Sequence, residues 1–159
     1  MTLAMPADDP TIATLEARLR VDLDDPDDEL WTEAELERYI QRAVREYSRA
    51  YPLPQQTTLA TVAGSRIVDA STLTDVVRID RVEWPTGEYP RQLVPFTWFE
   101  ATEEIELLGS NEPDAVDDVQ VEWGTMHACD SNSCTVPTRD IELIVSAAAA
   151  YAQTAIATS

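Results

Sequence analysis

Apolar positions recur along this chain with two different periods. Ile12, Leu15 and Leu19 stand at helical spacing, and Asp9 followed by Pro10 reads as an N-cap with proline at the first helical position. A helix is therefore expected from there to near Val21, after an aperiodic, disordered stretch over residues 1–8. The next helix carries the strongest local signal. Thr32 and Glu35 form a capping box, and Trp31 and Leu36 occupy the two positions of a hydrophobic staple. Leu36, Ile40, Ala43, Val44, Tyr47 and Tyr51 then mark one apolar face, and Pro52 and Pro54 stop the helix. Residues 9–52 thus read as N-terminal helices.

The period changes to two in the middle of the chain, residues 57–123. Thr57 to Val62 and Arg66 to Asp69 are short β-prone runs. Val76 to Trp84 reads as a strand with Val77 and Ile79 on one face and Val82 and Trp84 on the other. Leu93 to Phe96 is a short strand weakened by Pro95. Thr97 with Glu100 reads as a further capping box, which opens a short helix through about Leu108. Val119, Val121 and Trp123 alternate with polar residues as a half-buried strand. A C-terminal helix and tail are expected over residues 137–159. Pro137 stands at the start, Ile144, Ala148, Tyr151 and Ala155 lie on one face, and the Ala147–Ala150 run has high helix propensity. From Gln153 to Ser159 large apolar residues are too few to dock firmly, so this tail is expected to be free until a partner orders it. The fold class that follows is α+β. A helical bundle of N-terminal and C-terminal helices carries a small β-rich insertion between them, in a single domain over residues 1–159.

Charge changes this picture of an ordinary domain. Thirty acidic side chains stand against 11 basic ones, for a net charge of −19, and every basic residue is Arg. A surface of that sign repels phosphate backbones, which argues against a sequence-reading nucleic-acid binder. Its self-repulsion is screened at molar salt, where the Debye length falls to about 3 Å. The missing Lys together with the acid excess points to a high-salt cytoplasm; the alternative is a mesophilic protein that happens to be acidic. Hydrophobic residues make up 44 % of the chain, enough for a core, and no uninterrupted apolar stretch suggests a membrane span or a signal peptide.

Four of the cations, Arg38, Arg42, Arg45 and Arg49, repeat at helical spacing on one face of the second helix. Such a stripe is a solvated face partly neutralised by Glu35, Glu37 and Glu46, a docking surface for acidic groups of a neighbouring subunit, or a contact to passing DNA phosphate. The run from Asp22 to Glu29 lacks the glycine a calcium loop needs at its sixth position, where Asp27 stands, and reads as a solvated acidic linker.

Catalytic signatures are sparse. The single His, His127, has no activated serine marked beside it, and four glycines form neither a phosphate loop nor a dinucleotide fingerprint. Cys129 and Cys134 are open to three readings: a disulfide, two free thiols, or zinc ligands with His127 and Asp130. No metal, no cofactor and no enzymatic activity is expected. A metal-dependent hydrolase centred on His127 is one alternative, and an acidic halophilic binding module is another.

The order of these segments resembles the head-to-tail adaptor (connector) proteins of tailed viruses. The resemblance runs over about residues 10–155. Its most specific parts are the helix opened by Trp31-Thr32-Glu33-Ala34-Glu35-Leu36 and closed by Tyr47-Ser48-Arg49-Ala50-Tyr51-Pro52, and the stretch from Trp123 through Ala150. It implies a homo-oligomeric ring, commonly of twelve copies, in the neck of the virion beneath the portal protein, assembled in the host cytoplasm. A downstream neck or tail protein would sit on the other face. Viral DNA would pass through the lumen without sequence-specific binding, and no membrane would be involved. It also implies that Ala147, Ala150, Tyr151, Gln153, Thr154, Ala155, Ile156, Ala157, Thr158 and Ser159 meet the portal. The arginine stripe then suits the subunit interface, and the virus would infect a halophilic host.

Overall fold

A computed structural model describes residues 10–27, 29–109 and 111–157. The order of elements is α1 (Ile12–Leu23), α2 (Glu33–Ala50), β1 (Leu53–Ala60), β2 (Ile67–Asp69), β3 (Val76–Glu83), β4 (Phe96–Phe99), β5 (Glu104–Leu107), β6 (Asp118–Thr125) and α3 (Ile141–Ala157). The fold class is α+β, with helices from both ends of the chain and antiparallel sheet between them. The chain divides into two compact units, one holding the residues up to Tyr51 and those from His127 on, the other Pro52–Met126.

In the helical unit, α1 begins later than expected. Its N-cap is Thr11, which forms a capping box with Thr14, so Pro10 precedes the cap; Asp9 and residues 1–8 lie outside the described residues. The Thr11 hydroxyl accepts the Thr14 amide, and Thr14 Oγ1 accepts the Thr11 amide, so two backbone donors at the helix start are satisfied reciprocally. Leu15, Leu19 and Leu23 are buried, one turn apart, and α1 ends at Asp24 in the left-handed region with φ 55°. In α2 the expected capping box is present, and Leu36, Ile40, Ala43 and Val44 are buried beside Trp31. Tyr39 and Ser48 are buried as well, whereas Tyr51 caps the helix with most of its surface exposed. A short 3-10 turn, Thr138–Asp140, leads from Pro137 into α3, which buries Ile141, Ile144, Val145, Ala148 and Ala152 against α1 and α2.

The acidic linker is not uniformly solvated. Asp25 is 3 % exposed, and its carboxylate accepts the amides of Glu29 (2.9 Å), Leu30 (3.2 Å) and Trp31 (3.1 Å). Arg20 stands 3.7 Å away. Burial works to raise the Asp25 pKa, but the three amides and Arg20 outweigh it and hold the carboxyl below its usual range. This one acid organises the turn that delivers Trp31 to the core.

The β unit is built from two antiparallel three-stranded sheets, in the orders β1-β6-β3 and β2-β5-β4. Both contribute to one core of Leu59, Val68, Val82, Ile105, Leu107, Val119, Val121 and Trp123, among others. The short helix expected from Thr97 to Leu108 is absent. Residues 96–107 form a β4–β5 hairpin with Trp98 opposite Ile105, and Glu103 takes φ 55° in its turn. Ile105 and Leu107 are fully buried two residues apart, and β2 pairs on the other side of β5. Burial along β5, together with pairing on both of its edges, outweighs a local cap signal.

The face assignment in β3 also differs. Register shifts fall between Val76 and Arg78 and between Ile79 and Arg81. Each extra residue flips the parity of the side chains, so Ile79, opposite Trp123, and Val82, opposite Val121, share the core face.

Candidate functional site

The exposed face of α2 presents Arg38, Arg42, Arg45 and Arg49 together. The helix holds them there because its other face is spent on the core, and the cap fixes where the first turn starts. Glu35 spends its carboxylate mainly on the helix cap and only secondarily on the stripe, through Arg38. Its carboxylate accepts the Thr32 amide (2.9 Å) and hydroxyl (2.8 Å). Those bonds hold its pKa below the usual range, with a smaller contribution from Arg38. Arg49 pairs with Glu46 at 3.4 Å, the guanidinium of Arg42 lies 4.1 Å from the Tyr151 ring centre, and Arg38 lies 5.3 Å from that of Tyr39. Arg45 has no ion-pair partner among the described residues.

Of the α3 positions, Ala150, Gln153, Thr154, Ile156 and Ala157 are exposed, and Ala147, Tyr151 and Ala155 are half-buried. The helix runs on through Ala157, so the segment from Gln153 to Ala157 is not a free tail; Thr158 and Ser159 lie outside the described residues. Ala152 is buried and Ala155 packs on the helical core. Side chains this small let helix backbones approach closely enough to extend the contact without large apolar groups.

The loop after β6 returns the chain to the helical core. Cys129 and Cys134 are joined by a disulfide, are both buried, and face each other across a β-bridge. The Asp130 carbonyl accepts the Ile12 amide (2.9 Å), and the Cys129 carbonyl accepts Gln41 Nε2 (2.8 Å). The loop thus ties the start of α1 to the middle of α2. His127 is buried with both ring nitrogens engaged, Nε2 with the Tyr51 carbonyl (3.0 Å) and Nδ1 with Thr135 Oγ1 (3.1 Å). The Asp130 carboxylate accepts the Asn132 and Ser133 amides. Among the described residues no group of His, Cys, Asp and Glu is placed to hold a metal ion. Tyr47 packs edge-on against His127 and donates to Asp140 Oδ2 at 2.7 Å; burial first, and the Asp140 carboxylate second, push its pKa up to about 12.

In the β unit one carboxylate, Glu83, is buried. Arg91 bridges it to Glu122, and the Gly87 amide donates to its other oxygen at 3.3 Å. This network closes the loop that follows β3. Nothing in the sequence distinguished Glu83 or Asp25 from the many other acids; only the neighbours that reach them do.

A family model described as SU10 adaptor protein matches residues 10–115. No curated protein matches the chain. Among solved structures, a chain in the neck of an empty GTA particle, computed with C6 symmetry, is similar at 16 % identity, over 94 % of this chain and 81 % of that one, with a TM-score of 0.36. No helix among the described residues is long and apolar enough to cross a membrane.

Proposed function

This chain belongs to the SU10 adaptor protein family, and from that premise we propose that it works by closing into a ring of identical copies at the neck of the virion. It is a head-to-tail adaptor, a structural protein. The observation that carries the reading is the family match over residues 10–115, more than half of the chain.

The arginine face of α2 supplies the subunit contact. At −19 per copy, electrostatic attraction between identical chains arises only where a rare positive patch meets a negative one, and four of the 11 cations lie on this face. Exposed ion pairs contribute little singly, but a planar guanidinium matched to carboxylates also fixes orientation. Ring contacts of this kind are heterologous, one patch meeting a different patch. The exposed side of α3 from Ala147 to Ala157, with Thr158 and Ser159 beyond it, meets the portal protein, and twelve copies close the ring. A next neck or tail component docks on the other face. An acidic lumen lets DNA pass because like charge prevents adhesion. Activity resides in assembly, with no catalytic step. The acid excess without Lys fits a virus of a halophilic host.

Negative-stain imaging of the chain with its cognate portal at molar salt tests this reading. A ring on the portal, and weaker portal binding after deletion of Gln153 to Ser159, are expected. No ring, together with unchanged portal binding of the shortened chain, would remove it.

A further inference from the structure

We infer that the cleft between α1 and α3 is the surface that receives the arginine face of a neighbouring copy. This rests on the reading of that face as a subunit contact and names its counterpart. The cleft measures about 360 Å³ and is lined by Ala17, Arg18, Val21 and Asp22 of α1 and Glu142 of α3. Val21 is 77 % exposed, a β-branched apolar side chain standing in water on a helix whose other face is packed. Arg18 pairs with Glu142 across the cleft, which leaves Asp22 as a carboxylate at the rim without an ion-pair partner among the described residues.

Geometry keeps the two surfaces apart, so that a single copy can present both at once. Along α3, Tyr151 lies under Arg42 of α2, and Glu142 meets Arg18 of α1. At 3.6 residues per turn those two positions point about 180° apart around the helix. The arginine face and the cleft therefore leave α3 on opposite sides, so one copy can offer its arginines to one neighbour and its cleft to the other. The chemistry also matches. An Arg side chain lays its aliphatic stem on apolar surface and extends its charged head beyond it. Stems of the Arg38–Arg49 face would cover Val21 and Ala17 while the heads reach Asp22 and Glu142.

The test is sedimentation velocity on the full-length chain over a range of concentrations, at molar salt and at each lower salt in which the wild type stays folded. The variants are Arg45→Glu, Asp22→Arg, Val21→Glu and the double charge exchange Arg45→Glu with Asp22→Arg. All three positions are exposed, so circular dichroism should report an unchanged fold. Each single variant is expected to weaken self-association about tenfold or more, equivalent to 1.4 kcal/mol, and the double exchange to recover most of the loss. If Arg45→Glu weakens association but Asp22→Arg and Val21→Glu do not, the cleft is overturned and the arginine face stands. Failure of the double exchange to recover also overturns the pairing. If Arg45→Glu changes nothing, both readings fall together. If the isolated wild type stays monomeric, the same variants are compared for ring formation on the cognate portal, where rings unaffected by Arg45→Glu overturn both readings and rings unaffected by Asp22→Arg and Val21→Glu alone overturn the cleft.

Discussion

Single residues do their work here mostly by satisfying backbone groups at the seams of the helical unit. Ser48 is fully buried in α2, donates to the Val44 carbonyl and accepts the His127 amide at 2.9 Å. Ser48→Ala would leave that amide buried without its acceptor, a loss of about 1–3 kcal/mol. Urea titration should show a lower midpoint with an unchanged slope. Asp25 has a signature in pH. Its folded pKa is lowered from 3.8, so the stability it contributes is complete above that value and disappears as pH falls through the folded value. Melting temperatures should therefore fall below about pH 4 in the wild type. In Asp25→Asn the neutral-pH melting temperature should already be lower and that acid-side fall smaller. An acid-side slope identical in both proteins would mean that the carboxylate does not hold the turn.

At the scale of elements, the instructive case is residues 96–107. Thr97 and Glu100 satisfy the local pattern of a helix start, yet the segment is a hairpin. The alternation of buried Ile105 and Leu107 with half-buried Glu104 and Glu106 was present in the sequence, but its weight depended on β2, which lies over thirty positions away and pairs Val68 with Ile105. The bulges in β3 were equally invisible locally, because register is a property of two strands. The same sheet has a tight contact at Gly124. A Cβ there would stand 2.7 Å from Pro52 Cβ and Cγ, ring atoms that cannot swing aside. Gly124→Ala should destabilise the protein by about 1–3 kcal/mol through overpacking at the start of the β1–β6 ladder, and thermal unfolding would measure it.

For the whole molecule the governing quantity is a charge of −19 with no Lys. Self-repulsion of this size has a range set by ionic strength, about 10 Å at 0.1 M and 3 Å at 1 M. Stability and self-association should therefore both respond to salt, in opposite senses if the ring contact is dominated by the arginine face alone. Dilution below molar salt is expected to lower the melting temperature of the monomer. A melting temperature independent of salt would remove the halophilic reading while leaving the adaptor fold untouched.

The sequence by itself determined the fold class and the outer helices, because amphipathic period, capping boxes and proline stops act within a few residues of one another. It also placed four arginines on one helix face, since helical spacing alone does that. Tertiary structure decided what those features meet. It turned a cap-like segment into a hairpin, set side-chain parity in β3, and drew Asp25 and Glu83 out of a crowd of solvated acids. It also continued α3 to Ala157 on small side chains and set a half-apolar cleft on the side of α3 opposite the arginines. The hairpin and the β3 parity depend on strands distant in sequence, whose burial outweighs local preference. Asp25 and Glu83 are singled out by amides and guanidiniums only four to eight residues away, whose approach depends on how the chain turns.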